Sequence, residues 1–234
     1  MIDIIIATRN RHKFRELQVL LKVAGVRFHS LQDYSHLPTI PEHGRTFAAN
    51  AITKARAVAR ATGYPAIADD SGLEVDALAS APGVRSARFA GQHGDDEANN
   101  RKLLQVLNGL PRSRRRARYR CVLALASPRR LLGVTEGVFA GVIAAAPKGT
   151  RGFGYDPLFL VPRLGKTVGQ LPASVKQRLS HRAKAAKRMR VLLVRFVHTA
   201  CLAPSLCLPP KGVAGPCRSC LPRASYPLGQ RGGG

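Results

Sequence analysis

The chain has 234 residues and a formal net charge of +25, because 38 Lys and Arg residues face only 13 Asp and Glu residues. This length allows one large domain, or a domain with an extension, and is ample for a hydrophobic core. The sequence has no apolar run of roughly 18 residues, so we expect no membrane-spanning segment. Its start lacks the basic region of a signal peptide, which predicts a cytoplasmic protein.

The excess positive charge favours nucleic acid, an anionic membrane surface or phosphate-rich ligands as partners. Basic residues are spread widely, and no zinc finger, RNA-recognition signature or aromatic-basic interleaving accompanies them. Charge alone therefore predicts affinity for phosphates without sequence-specific binding of nucleic acid. Frequent Arg, Ala and Gly are equally well explained by a source with GC-rich codons.

Apolar segments alternate between strand-like and helical periods from residue 1 to about residue 197. In chain order, the patterns predict a strand at 2–7, a helix at 13–21, a strand at 26–29, a helix at 46–62, short strands at 66–69 and 73–75, a helix at 97–107, strands at 118–126, 131–138 and 141–145, and a basic helix at 180–197. Thr46 is a suitable N-cap for the second helix. This mixture predicts an α/β fold with a mixed sheet.

Residues 198–234 have a different composition, rich in Pro, Cys and Gly and without any acid. We expect an acquired, disordered extension after a domain that spans residues 1–197. Cys217 and Cys220 have half the spacing of a zinc site, but Cys201 and Cys207 lie too far apart to complete it. We therefore expect no zinc in this extension.

Asp69 and Asp70 form an adjacent acidic pair in a chain that has no carboxylate after Asp156. They follow the apolar run 65–68 and precede Gly72, which predicts a strand that delivers both acids into a turn. Mg²⁺ takes oxygen ligands, keeps several waters, and usually binds one or two carboxylates plus substrate phosphates. The pair is thus a candidate Mg²⁺ site, and a solvated acidic loop is the alternative. Glu42 is an acid that could join the site, or it simply favours the start of the following helix.

The junction between the first strand and the first helix reads Thr8-Arg9-Asn10-Arg11-His12-Lys13. Such a junction offers free backbone N–H groups and the positive end of a helix dipole, which suits a phosphate. Thr8 and Asn10 add neutral donors, and the charge of Lys13 can reach a polyphosphate. The alternative is an ordinary turn with solvated basic residues. The chain has no P-loop, because its Gly-Lys-Thr at 165–167 lacks the required earlier glycine.

A further cluster combines the segment Gly152-Phe153-Gly154-Tyr155-Asp156-Pro157 with Lys176 and with Ser180-His181-Arg182. Glycines beside an aromatic residue let the backbone approach a planar ligand while Phe153 stacks on it. Asp156 can accept from ring N–H groups, and the three later cationic or imidazole side chains can donate to carbonyl oxygens. The set favours a nucleobase with an oxo group, and a Gly-rich aromatic turn is the alternative.

Together these segments resemble the inosine triphosphate pyrophosphatases, also called XTP/dITP pyrophosphatases, over about residues 1–195. The resemblance is carried by Thr8-x-Asn10-x-x-Lys13, Glu42-x-Gly44-x-Thr46-Phe47-x-x-Asn50-Ala51-x-x-Lys54-Ala55, Ala68-Asp69-Asp70-Ser71-Gly72-Leu73, Ala81-Pro82-Gly83-Val84-x-Ser86-Ala87-Arg88, Asn99-Asn100-Arg101-Lys102-Leu103-Leu104, Gly152 to Pro157 and Ser180-His181-Arg182. Ala49 departs from the family pattern, since an acid usually stands at this position.

The resemblance implies an elongated α/β fold with a central mixed sheet, flanking helices and a substrate cleft between two lobes, generally as a homodimer. It implies a Mg²⁺-dependent hydrolase that converts ITP, dITP or XTP to the monophosphate and pyrophosphate, and so keeps deaminated purines out of DNA and RNA. Glu42 and Asp70 would hold Mg²⁺, and Asp70 would be the general base with Asp69 in support. The implied substrate contacts are Thr8, Arg9, Asn10, Arg11, His12, Lys13, Ser71, Phe153, Gly154, Tyr155, Asp156, Lys176, His181 and Arg182.

Two other classes of protein stay open at this point. A basic nucleic-acid-binding protein explains the charge but not the ordered acidic motifs. A Maf-like pyrophosphatase of different base preference would have a similar architecture, but residues 152–157 and 180–182 argue against it.

Overall fold

One seven-stranded sheet runs through the protein in a computed structural model that describes residues 1–202. The strands are β1 (Ile2–Ile6), β2 (Val26–Ser30), β3 (Ala66–Val75), β4 (Arg116–Ala126), β5 (Leu131–Ile143), β6 (Phe159–Val161) and β7 (Lys166–Thr167). Their order is β2-β1-β3-β4-β5-β6-β7, with β1 parallel to both neighbours and every later pair antiparallel. The predicted mixed sheet is confirmed. The expectations about residues 203–234, including Cys217 and Cys220, lie outside the described residues.

Five α-helices accompany the sheet within residues 1–202, and they are α1 (Arg11–Leu20), α2 (Phe47–Thr62), α3 (Asp96–Val106), α4 (Ala173–Leu179) and α5 (His181–Leu202). Leu17 of α1 and Met189 of α5 pack with Ile67 on one face of the sheet. Ala55 of α2 packs with Ala68 on the other face. The predicted α/β arrangement with flanking helices is thereby confirmed. None of these helices is long and apolar enough to cross a membrane.

Side-chain caps explain where α1 and α2 begin. The Thr46 hydroxyl accepts from the Ala49 amide at 3.1 Å, so α2 starts directly after the predicted cap. The Asn10 side chain accepts from the Lys13 amide at 3.0 Å and caps α1, which therefore begins two residues before its predicted start. Both caps satisfy backbone donors that a helix leaves unpaired at its first turn.

β3 is one continuous strand, where the sequence predicted two short strands with a turn after the acids. It pairs with β4 over its whole length, including Asp69 and Asp70. Gly72 allows this because another segment approaches its backbone closely: a Cβ there would clash with the Ser86 hydroxyl and the Gly83 carbonyl. The glycine therefore marks a close contact inside a strand and not a turn.

β5 is likewise continuous through Gly137 and Gly141, where two strands were predicted. A Cβ at Gly137 would clash with the carbonyl of His181, so this glycine lets α5 begin directly against the sheet. At its other end, α5 runs to Leu202, and Ala200 is buried in the core beside α1. The first five residues of the expected extension therefore belong to this helix.

Candidate active site

Asp69 and Asp70 lie in the middle of β3 and point to opposite faces of the sheet. Side chains alternate along a strand, so Asp69 faces α1 and α5 whereas Asp70 faces α2. β1 ends next to them, because the Ala7 amide donates to the Ile67 carbonyl at 2.7 Å. The loop that follows β1 therefore begins beside both acids.

Asp69 is surrounded by donors and is fully buried. One carboxylate oxygen lies 2.6 Å from the Lys13 ammonium and the other lies 3.4 Å from Nε of Arg182. The Cys121 thiol and the Ser71 hydroxyl donate to it at 3.2 and 3.3 Å. Burial favours the protonated acid, but Lys13 and Arg182 outweigh it and hold the pKa of Asp69 well below its usual range. Asp69 is therefore an ionised partner for the half-buried Lys13 and the buried Arg182.

Asp70 has a different environment. The Asn50 side chain donates to its carboxylate at 2.9 Å, and this is the one hydrogen bond of the Asp70 side chain within residues 1–202. Burial raises the pKa of Asp70 to about 6, and the nearby charge of Glu42 adds to the increase although Asn50, Lys13 and Lys54 oppose it. A carboxylate with this pKa is ionised at neutral pH and can still accept a proton, as a general base must.

α2 brings the Glu42 loop to Asp70. Asn50 and Lys54 lie one helical turn apart on the same face of α2. The Lys54 ammonium lies 2.5 Å from the Glu42 carboxylate, and the Asn50 side-chain oxygen accepts from the Gly44 amide at 2.7 Å. Asn50 therefore connects the loop directly to Asp70.

Asp70 and Glu42 are the carboxylates available to a cation at this place. Within residues 1–202, no group of three or more His, Cys, Asp or Glu side chains is arranged to hold a metal. Two carboxylates suit Mg²⁺, which keeps waters and completes its ligands with substrate phosphates, better than a metal that needs a full set of protein ligands. A cation here would also offset the burial and the like charge that raise the pKa of Asp70.

The loop before α1 provides the predicted phosphate-binding groups. The Thr8 hydroxyl accepts from the Asn10 amide at 3.2 Å, and Asn10 is the cap of α1. Arg9 donates to the Leu37 carbonyl at 2.5 Å, which directs its guanidinium toward a neighbouring loop. Arg11 is exposed on the first turn of α1. The Asn10 and Lys13 amides are thus bonded to side chains of the loop itself, and the positive charge of the basic residues lies at the start of this helix.

The Phe153 loop is attached to α3. The Gly154 amide donates to the Asp96 carboxylate at 2.6 Å, and the Gly154 carbonyl accepts from the Asn100 side chain at 3.0 Å. Gly152 and Gly154 have φ values of 84° and 64°, which favour glycine. The role of Asp96 was not predicted, and its position at the start of a helix was the only signal.

Asp156 fixes the same loop from inside. Its carboxylate accepts from the Tyr119 hydroxyl at 3.2 Å, the Phe153 amide at 3.0 Å and the Lys176 ammonium at 2.6 Å. The sequence predicted that Asp156 would accept from a base, but these protein donors already engage it. The predicted contact Tyr155 packs in the core, where its hydroxyl donates to the Ser86 carbonyl at 2.8 Å.

Glu16 connects the two cations of the predicted base site. It lies 3.1 Å from Lys176 and 2.5 Å from Arg182. These cations lie over the Phe153 ring, with Lys176 Nζ 4.5 Å and Arg182 Cζ 5.7 Å from its centroid. Burial opposes ionisation of Glu16, but Arg182 and Lys176 prevail and lower its pKa. Glu16 was not predicted, although it is the only acid in α1.

His181 has a neutral imidazole. Burial, reinforced by the charge of Arg182, holds the pKa of His181 well below its usual value. The ring stacks on Tyr119 with centroids 4.7 Å apart, and its Nδ1 has no hydrogen-bond partner within residues 1–202. A buried nitrogen without a partner is available to a ligand.

The structure therefore brings the predicted residues into two adjoining groups. Asp70 lies with Glu42 on the α2 face, whereas Asp69, Lys13, Ser71, Lys176, His181 and Arg182 lie on the α1 and α5 face together with Phe153. The first group can accept a proton and bind a cation. The second can hold a planar ligand against an aromatic ring and offer hydrogen-bond donors to it.

Comparison with known proteins identifies the family of this chain. The sequence model described as the Ham1 family matches residues 4–192. A dITP/XTP pyrophosphatase of Desulforamulus reducens is 49% identical over 83% of this chain and 98% of its own length. A dITP/XTP pyrophosphatase of Geobacillus kaustophilus is 48% identical over 81% of this chain and 93% of its own.

Solved structures match as well. A HAM1 protein from Coxiella burnetii superimposes with a TM-score of 0.77 at 40% identity, covering 83% of this chain and 100% of that one. The Ham1 protein of Staphylococcus aureus gives a TM-score of 0.75 at 38% identity, covering 83% of this chain and 99% of that one. The region matched by the family model, residues 4–192, includes every residue of the candidate site. The chain therefore belongs to the Ham1 family.

Proposed function

We propose that this protein hydrolyses deaminated purine nucleoside triphosphates, namely ITP, dITP and XTP, to the nucleoside monophosphate and pyrophosphate. The observation that carries the proposal is the buried Asp70, whose pKa of about 6 suits a general base and which adjoins the phosphate-binding loop. The relatives named dITP/XTP pyrophosphatases, which align over nearly their whole length, support the same reaction.

In the proposed reaction, Asp70 takes a proton from a water molecule. The water oxygen bonds to the α-phosphorus, the bond from that phosphorus to the bridging oxygen breaks, and pyrophosphate leaves with the bridging oxygen. Lys13 and the N-terminus of α1 bind the triphosphate and offset its charge. Asp70 and Glu42 would hold Mg²⁺, which when bound lowers the pKa of a water ligand and neutralises phosphate charge.

Base selection is assigned to the group around Phe153. The base would stack on this ring, and Lys176, His181 and Arg182 would donate to its 6-oxo group. A 6-amino group would leave such donors unpaired, which costs about 1–3 kcal/mol for each buried donor. Because Glu16, Asp69 and Asp156 fix the two cations, they cannot easily turn toward another partner.

Pyrophosphate release from ITP, XTP, dITP, GTP, ATP and dTTP, with and without Mg²⁺, tests the proposal. We expect turnover of the three deaminated purines only when Mg²⁺ is present, and turnover by Asp70→Asn that is lower by about 10²- to 10⁴-fold. Preference for dTTP or another pyrimidine would instead favour a Maf-like activity. Retention on DNA at physiological salt without any hydrolysis would favour a nucleic-acid-binding protein. The substrate cleft, the homodimer and the cytoplasmic location stay predictions.

A further inference from the structure

His12 contacts the predicted base site, although its position in the sequence placed it with the phosphate-binding residues. Its imidazole stacks on Phe153, with ring centroids 5.6 Å apart and an angle of 25° between the planes. His12 is exposed on the first turn of α1, and this stack is its one described side-chain contact within residues 1–202.

The distance leaves no room for a base between the two rings. Non-bonded carbon atoms pack about 3.5–4.0 Å apart, so a base inserted between the His12 and Phe153 rings would separate them by at least about 7 Å. The observed 5.6 Å corresponds to a single direct stack. A base that stacks on this side of Phe153 must therefore replace the imidazole.

The other groups around Phe153 are less free to leave. Lys176 is held by Glu16 and Asp156, and Arg182 is held by Glu16 and Asp69. His12, in contrast, is exposed and has only the stack to lose. Its movement is the least costly way to uncover the ring.

We propose that His12 covers the stacking face of Phe153 in the ligand-free protein and is displaced by the purine base. The inference rests on the proposed function, since it assigns a base to Phe153. His12 belongs to the loop-to-helix junction at 8–13, so its displacement couples the arrival of the base to the phosphate-binding segment. Each nucleotide must then break this stack, which weakens binding of every purine by the same factor and leaves their order of preference unchanged.

Calorimetric titration with inosine monophosphate, which the enzyme does not need to cleave, tests the displacement. We expect His12→Ala to lower the Kd about 2- to 10-fold, the equivalent of one aromatic pair. Arg15→Ala, an exposed change on the same helix, is the matched control and should leave the Kd unchanged. Ribose 5-phosphate, which has no base, should bind equally to wild type and to His12→Ala.

An NMR titration provides a second measurement. The His12 ring proton resonances should carry a ring-current shift from Phe153, lose it on addition of inosine monophosphate, and lose it equally in Phe153→Leu without ligand. The displacement would be overturned if His12→Ala bound inosine monophosphate no more tightly than wild type does. It would also be overturned if the Kd for ribose 5-phosphate fell by the same factor. If wild type hydrolyses ITP, such a result rejects only the role of His12. Absence of ITP hydrolysis by wild type would reject the proposed function itself.

Discussion

The two faces of β3 give neighbouring carboxylates opposite properties. On the α1 and α5 face, Asp69 has four donors, two of them cationic, and the cations outweigh the burial that favours its protonated form. On the α2 face, Asp70 has one neutral donor and a nearby like charge, so the same burial raises its pKa to about 6. One residue of displacement along a strand is enough to separate a carboxylate of depressed pKa from one of raised pKa, because the side chain changes face.

The largest expected effect is on catalysis. Asp70→Asn removes the proposed base while keeping the shape of the side chain, so kcat for ITP should fall by about 10²- to 10⁴-fold. The unfolding free energy should rise at neutral pH, since a buried charge is removed while the amide oxygen can still accept from Asn50. Asp76→Asn, on the surface beyond the same strand, is the control and should keep full turnover. Undiminished kcat in Asp70→Asn would remove Asp70 as the base.

The second-largest expected effect is a loss of stability, and it concerns Asp69 on the α1 and α5 face. Asp69→Asn leaves the half-buried Lys13 and the buried Arg182 without their shared anion, so the unfolding free energy should fall by about 3–5 kcal/mol. Urea unfolding of Asp69→Asn beside Asp70→Asn measures the contrast directly. A loss below about 1 kcal/mol in Asp69→Asn would mean that this carboxylate is not the structural anion of the site.

The contributions of Asp70 and Asp69 to the unfolding free energy should depend on pH with opposite signs. The pKa of Asp70 is raised from 3.8 to about 6, so the folded protein holds this proton more tightly than the unfolded chain. Asp70 therefore lowers stability by up to about 3 kcal/mol as pH rises from about 4 to about 6. The pKa of Asp69 is depressed, so its contribution is present above its unfolded pKa and is lost as pH falls below it.

Urea unfolding of wild type and Asp70→Asn at about pH 4 and about pH 7 should reveal the Asp70 contribution as a difference that grows with pH. In activity, kcat/KM for ITP should fall about tenfold per unit as pH drops below about 6. More Mg²⁺ should move this limb to lower pH, because cation and proton compete for one carboxylate. If the acidic limb of kcat/KM did not move with Mg²⁺ concentration, the general base and the metal ligand would be different residues.

The smallest effect concerns the one donor to Asp70. Asn50→Ala removes a hydrogen bond that lowers the pKa of this acid, so the acidic limb of kcat/KM should move up by about one pH unit. Thr46→Ala is the control, since it costs α2 its cap, about 1 kcal/mol, without touching Asp70. If the acidic limb of kcat/KM lay at the same pH in both variants, Asn50 would only stabilise the helix.

Local patterns predicted the helices and the mixed sheet, because apolar periodicity and caps such as Thr46 act within a few residues. They failed at Gly72 and at residues 139–140, where turns were predicted inside strands that are continuous. At Gly72 the glycine instead admits a distant segment against the strand. The chemistry of Asp70 was inferred from its motif. The separation of Asp69 from it was not foreseen in physical terms, since that depends on strand continuity and on which helices cover each face.

The acidic partner of Lys176 and Arg182 also could not be predicted from the sequence. Glu16 contacts Lys176 and Arg182 across long chain separations, and no local spacing indicates such contacts. Its isolation among the bases of α1 was a usable signal, since a buried cation needs an anion and this chain has few. Scarcity of acids is therefore informative about pairing as well as about metals.

The attachment of Gly154 to α3 has a consequence for hydrogen exchange. The Gly154 amide is bonded to Asp96, so it can exchange with deuterated solvent only when that bond opens. Its exchange rate therefore measures how often the aromatic loop detaches from the helix in the absence of any nucleotide. Slower exchange at this amide on addition of inosine monophosphate would identify base stacking as the step that immobilises the loop, independently of any turnover.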